Sequence, residues 1–423
     1  MQFPSICADR AKLLSVIEIA SRHKPMDAGA IRRALMAPAW PGSNRGTVYD
    51  IIKRGERVCF VVSDQTRRTA VDLVLPEVLR GLGDKGCRTE DMFILVASGI
   101  HRPPTDGELV RILGEDVVRE FGGRIYIHDP DSDADLIHVG TTKRGHMVRV
   151  NRRAIETDRL VPIGSAAYHY HAGFSGGRKS LVPGIASRDT IAHNHSLTLD
   201  PNYDQIHPGV EIGRLDGNPV SEEMLEAAYL CRPDIIINTV LNASEELVGV
   251  FSGELDVAHR AACRMVEEVS RIDLEQSSDF VVAFAENASD WIQSHKALFS
   301  AQRAVKKGGR IVLVAPCPEG LGNERFRYWI RKAGSVDFFK ELRGSSEVNG
   351  QTALSSRLRG ANTILVTRMA PRDAEDLGIE TAPDLDAAVA KTLSILAGNG
   401  IASPTWYCMP HATCTVPFCP KSS

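Results

Sequence analysis

Apolar residues along this 423-residue chain fall in short solid runs more often than in strict alternation. Val58–Val62, Met92–Ala97, Ile125–Ile127, Leu160–Ile163, Ile235–Val240, Phe280–Phe284, Ile311–Val314 and Ile364–Val366 are apolar at nearly every position. Runs of that length, bounded by polar or glycine-rich segments, are expected of strands covered on both faces. Between them the spacing becomes helical. Thr105–Asp106–Gly107–Glu108 has the form of a capping box, which predicts a helix running from there towards Phe121. Further helices are expected over Asp256–Ile272 and Asp290–Lys307, the second stopped by Gly308 and Gly309. Leu385, Val389, Leu393 and Leu396 form a stripe at helical spacing that Gly398 closes. Strand and helix in alternation make the class α/β.

A chain of this length divides naturally into two cores. The polar stretch DLEQSS after Ile272 suggests a boundary. The expectation is therefore two α/β domains with the active site in the cleft between them. Residues 1–273 form an N-terminal domain on which the tail 398–423 packs, and 274–397 form a smaller domain that closes over the substrate. The composition is that of an ordinary globular protein: 43% apolar, 24% charged, net charge −3. That balance gives no reason to expect nucleic acid or an anionic membrane as a partner. No apolar run reaches the roughly 20 residues of a membrane helix, and the first residues lack the pattern of a signal peptide. Nine cysteines, mostly single within apolar segments, suit a reducing, cytoplasmic setting. Cys408, Cys414 and Cys419 in the tail, near His411, match no common zinc spacing.

The chemistry concentrates in loops that follow predicted strands, where open α/β sheets bind ligands. Asp64-Gln65-Thr66-Arg67 follows the first run, and an arginine there can grip a carboxylate with two hydrogen bonds. Ser98-Gly99-Ile100-His101-Arg102-Pro103 follows the second and offers His101 as a general base. The densest segment is YHYHAGFSGGRKSLVPGIASRDTIAHNH, from Tyr168 to His195, with four of the chain's thirteen histidines. Extended backbone at its start would put His169 and His171 on one face. Gly176 and Gly177 would let backbone amides approach an anion, and Lys179 is a candidate nucleophile. Counting from Gly173 puts Arg178 where a P-loop needs its second glycine, so that motif is absent. On a later helix Gln293 and Lys296 stand three residues apart and share a face.

Together these segments resemble the nickel-pincer lactate racemase family, in motif order and over nearly the whole chain. The block FSGGRKS-x-x-PG-x-AS-x-x-T-x-x-x-NH is the most specific part. The resemblance implies a 2-hydroxy acid racemase or epimerase that moves the C2 hydrogen reversibly, as hydride, to a nickel-holding cofactor. That cofactor is pyridinium-3,5-bisthiocarboxylic acid mononucleotide, joined as a thioamide to Lys179 and supplied by separate maturation proteins. By the same resemblance His195 ligates nickel, and His101 and His169 are the acid/base pair on opposite faces. Arg67 holds the substrate carboxylate with help from Gln293 and Lys296. Asp64, Gly176 and Gly177 contact the cofactor, and the choice of His195 over His193 and of His169 over His171 follows family spacing. Departures from the pattern are DQTRRTA, without a proline soon after Arg67, and SGIHRPP, with Ile100 before the histidine. By the resemblance both touch the substrate pocket, so they bear on which 2-hydroxy acid is taken, lactate or a related one, more than on the chemistry. Two other readings stay open at this level: a metal-dependent hydrolase using the His169–His195 cluster, and a non-catalytic homologue that only holds the cofactor.

Overall fold

The computed structural model describes residues 10–18, 23–43, 45–286, 288–345 and 347–419. The chain forms two units, Ser21–Val269 and Ser270–Ser423, the latter joined by the segment Met1–Ala20.

The larger unit is built on a six-stranded sheet in the order Leu247–Gly253, Ile236–Leu241, Arg159–Ala166, Val58–Ser63, Met92–Ala97, Ile125–Ile127. All neighbours are parallel except the first two. The apolar runs are what two covered faces require. Val58, Phe60 and Val62 enter one core with Ile94 and Val96, while Cys59 and Val61 enter a second core with Phe93 and Leu95. From Val58–Ser63 the chain adds strands towards one edge, then returns to place Arg159–Ala166 on the other side. That reversal opens a crevice at the carboxyl ends of the two strands, the usual ligand position in such sheets.

The smaller unit holds a parallel six-stranded sheet in the order Lys12–Val16, Thr405–Met409, Ser278–Phe284, Val305–Val314, Thr363–Val366, Glu380–Ala382. Three of these strands match the expected runs. The other three come from the two ends of the chain and from a short edge segment.

Several expectations need correction. The tail, expected on the N-terminal domain, instead places Thr405–Met409 inside the smaller unit's sheet, between Lys12–Val16 and Ser278–Phe284, where WYCM supplies buried side chains and full backbone pairing. The helix from Asp290 ends at Gln302, and Lys306 to Gly309 begin the strand Val305–Val314 instead of stopping a helix. The capping box at Thr105 forms with both of its bonds, but the helix breaks at Gly114, whose φ of 84° ends Asp106–Leu113 before Glu115–Phe121. The helix near 256 runs Leu255–Ser270, and Arg271–Asp273 leaves it to pair with Val416–Phe418. Among the described residues no helix is long and apolar enough to cross a membrane.

Candidate active site

Three adjacent parallel strands of the larger unit carry the site. Val58–Ser63 ends at Asp64, Met92–Ala97 leads to His101, and Arg159–Ala166 leads to His169 and Lys179.

Asp64 is buried, and its Oδ1 accepts from the Thr66 amide at 3.1 Å and from the Thr66 hydroxyl at 2.6 Å. Its Oδ2 lies 2.6 Å from His101 Nδ1. Burial alone would raise this carboxyl, but the His101 hydrogen bond and charge and the two Thr66 donors outweigh it and hold it below the ordinary value. The ionised carboxylate makes Nδ1 the proton-bearing nitrogen of His101 and leaves the Nε2 lone pair as the basic one. The His101 loop is tied at both ends: Arg102 makes a bidentate pair with Glu108 at 2.7 and 2.6 Å, and the Gly99 amide donates to the Gly184 carbonyl at 2.9 Å.

Arg67 and Arg68 diverge. Arg68 is paired with Asp72 one helical turn on. Arg67 is exposed and makes no hydrogen bond or ion pair with any described residue. Of the two, Arg67 is the guanidinium open to an incoming carboxylate.

Tyr168–His169 and Gly173–Phe174 form a small hairpin, so the expectation that His169 and His171 share one face fails. The turn between them drives His171 into the interior and leaves His169 half-buried. His169 Nδ1 accepts from the amides of His171 at 3.2 Å and Ala172 at 3.1 Å, and His169 Nε2 lies 2.9 Å from Lys179 Nζ. Lys179 sits in the four-residue helix Arg178–Leu181.

Gly176 and Gly177 act differently from the expected anion cradle. Gly176 has a φ of +145°, and a Cβ there would come within 2.4 Å of the His259 ring. The Gly177 amide donates to Asn238 Oδ1 at 2.8 Å, so it is already committed. These glycines let the loop press against the sheet and against a helix. Arg178 is buried, donates to Ser221 Oγ at 3.0 Å, and is lowered to about 10 by loss of water.

His195 lies on the helix Arg188–Ser196, capped by Ser187. Its Nδ1 donates to the Ile191 carbonyl at 2.8 Å, which fixes the tautomer with the lone pair on Nε2. It is lowered to about 4, chiefly by burial and in smaller part by the charges of Lys179 and His101, against the Ile191 hydrogen bond. His193, two residues earlier, instead faces Glu223 at 3.1 Å and stacks on His146 with ring centroids 4.1 Å apart.

A neutral imidazole with its other nitrogen held by a carbonyl is a well-prepared metal donor. Among the described residues no group of three or more His, Cys, Asp or Glu side chains could hold a metal ion, the tail cysteines included. A single imidazole held in this way fits a metal whose other donors would come from a cofactor. It does not fit the three-donor site that a metal-dependent hydrolase needs. In the smaller unit Gln293 and Lys296 share a helix face as expected, with Lys296 Nζ donating to Gln293 Oε1 at 2.5 Å.

Sequence reasoning missed Asn238 and His259, whose polar side chains hold the glycine loop from elsewhere in the unit. The signal was a polar residue inside an apolar strand run and another on the apolar stripe of a helix.

Residues 5–205 match the family described as the lactate racemase N-terminal domain. The chain is 31% identical over 305 residues to a lactate racemase of Thermoanaerobacterium thermosaccharolyticum, covering 72% of this chain and 69% of that protein. It is 34% identical over 281 residues to a lactate racemase of Lactiplantibacillus plantarum, covering 65% and 64%. The lactate racemase apoprotein of T. thermosaccharolyticum superposes with a TM-score of 0.83 at 27% identity, over 96% of this chain and 95% of that one. A Thermotoga maritima protein shares the fold, with a TM-score of 0.68 at 19% identity over 94% and 99%. With strand-end loops in this order and relatives over this length, the chain belongs to the lactate racemase family and is an isomerase of the racemase type.

Proposed function

We propose that this enzyme interconverts the two configurations at C2 of a 2-hydroxy acid, lactate or a close relative, using a nickel-pincer nucleotide. When bound, that group supplies a reversible hydride acceptor, so the weakly acidic C2 hydrogen need not leave as a proton. Lys179 is the attachment point, and His195 offers its Nε2 lone pair to the metal. Arg67 takes the substrate carboxylate in bidentate fashion and fixes C2 while the remaining substituents reorient. His101 removes or returns the hydroxyl proton of one enantiomer at Nε2, and Asp64 stabilises the imidazolium that forms. His169 serves the other enantiomer from the neighbouring loop. Separate maturation proteins provide the cofactor in the cytoplasm, a reducing setting that suits the eight free cysteines of the described residues.

The observation that supports this reading most is the contact of Lys179 Nζ with His169 Nε2 at 2.9 Å, beside a strand end where Asp64 holds His101 Nδ1 at 2.6 Å. The test uses protein co-expressed with the cofactor-making machinery and incubated with single-enantiomer 2-hydroxy acids in D2O. Inversion without deuterium at C2 is expected. Inversion with full deuterium would mean proton abstraction and would end the hydride reading.

A further inference from the structure

Two buried polar side chains, remote in sequence from the histidine-rich segment, hold the loop that carries Lys179. Asn238 is fully buried in the strand Ile236–Leu241, and its Oδ1 accepts from the Gly177 amide at 2.8 Å. His259 is fully buried in the helix Leu255–Ser270, and its Nε2 donates to the Ser175 carbonyl at 2.7 Å. Burial keeps this imidazole neutral, as a donor to a carbonyl must be at that nitrogen with a single proton. The two bonds flank Gly176, whose α-carbon rests on the His259 ring with no room for a Cβ. The Lys179 amide then closes the turn onto the Gly176 carbonyl at 2.9 Å. Backbone positions 175, 177 and 179 are all fixed, two of them from outside the loop.

Stability alone does not explain either residue. Asn238 Nδ2 is buried with no hydrogen-bond partner among the described residues. An orphaned donor costs folding free energy that an apolar residue in the same strand would avoid. His259 occupies a place in line with Leu255, Ala262 and Val266, where an aliphatic residue would pack without desolvating a ring. Polar groups kept at such a cost are expected where geometry matters more than stability.

We propose that Asn238 and His259 are positioning residues that aim Lys179 for cofactor attachment. The inference rests on the reading of Lys179 as the attachment point. A lysine carries four rotatable side-chain bonds, so the position of its Cα sets the region its amine can search. Fixing the carbonyl before Gly176 and the amide after it fixes that Cα to the sheet.

The test follows Asn238→Ala, His259→Leu and the donor-keeping His259→Gln, each co-expressed with the cofactor-making machinery. Intact mass gives the fraction of chains carrying the cofactor, and hydrogen–deuterium exchange on the peptide spanning 175–181 reads the clamp directly. Melting temperature is recorded on the same samples. Expected are at least a tenfold loss of loading and at least tenfold faster exchange in the first two variants, at temperatures where both remain folded. His259→Gln should recover loading to within about threefold of wild type. Should the first two fail to fold, His259→Gln against the shorter His259→Asn makes the same comparison. Equal loading in wild type and folded variants would overturn the inference and leave the attachment reading intact. A wild-type chain that never gains the cofactor mass would overturn that reading and the inference with it.

Discussion

The histidine-rich segment has two halves, a hairpin and a helix, and each splits its pair of histidines the same way. In the hairpin His169 stands next to Lys179, while His171, two residues on, is buried behind the turn. In the helix His195 is held at Nδ1 by the Ile191 carbonyl, which leaves Nε2 uncommitted to that bond, while His193 is engaged by Glu223 and His146. Two positions along a helix are about 200° apart, so neighbours in an HNH triplet must face nearly opposite ways. Two positions along a strand would share a face, and only the turn at Tyr170–His171 separates the hairpin pair. The same residue type thus meets two different surroundings in each half, and backbone geometry decides which histidine is tied into the structure.

Four substitutions or conditions would break or sharpen that contrast. Lys179→Ala should abolish covalent cofactor mass and racemisation together, the largest effect, read by intact mass and chiral assay. Full activity in that variant would remove the lysine from its role. Next, His101→Ala should lower kcat by about 10²–10⁴-fold while cofactor attachment, followed by mass, stays as in wild type. Comparable activity would mean that another group moves the proton.

The paired test of His193 and His195 comes third. His195→Ala should lose bound nickel with little change in melting temperature. His193→Ala should keep nickel but lose about 1–3 kcal/mol, since it leaves Glu223 without one of its buried partners. The opposite pattern would exchange the two assignments.

The smallest effect concerns pH. The folded value of His195 is depressed to about 4, so the unfolded chain binds its proton first as pH falls below the ordinary histidine value. Stability should therefore decline from about pH 6.5 down to about 4, by on the order of 2 kcal/mol from this group. Asp64 has the same sign: its stabilising bonds are present above the ordinary carboxyl value and are lost as acid protonates it. Denaturant midpoints between pH 7 and 4.5 should show the decline, and His195→Gln should flatten part of it. An unchanged slope in that variant would locate the effect elsewhere.

Much of the larger unit was readable in advance. Solid apolar runs mark parallel strands because a strand covered on both faces has no polar side to reveal. Val58–Ser63 and Met92–Ala97 alternate into two cores although their sequences show no alternation. The smaller unit was harder. Lys306 to Gly309 carry the composition of a helix stop, yet they form an irregularity within a strand, between Val305 paired with Ser278 and Arg310 paired with Phe280. The tail's strand pairs on both sides with strands more than a hundred residues away, Lys12–Val16 and Ser278–Phe284, a pairing no local pattern encodes.

The sequence by itself determined the α/β class, the strand-end loops that carry the chemistry, and the residue types gathered there. Those features depend on side-chain periodicity and on composition within a few residues of each other. Tertiary structure decided that His169 meets Lys179 while His193 meets Glu223, that Asp64 holds His101, that Arg67 stays open while Arg68 is paired, and that Asn238 and His259 fix the glycine loop. Each of these depends on contacts between segments brought together by the sheet order. A hydrogen bond between residues 61 or 84 positions apart leaves no trace in the spacing of either.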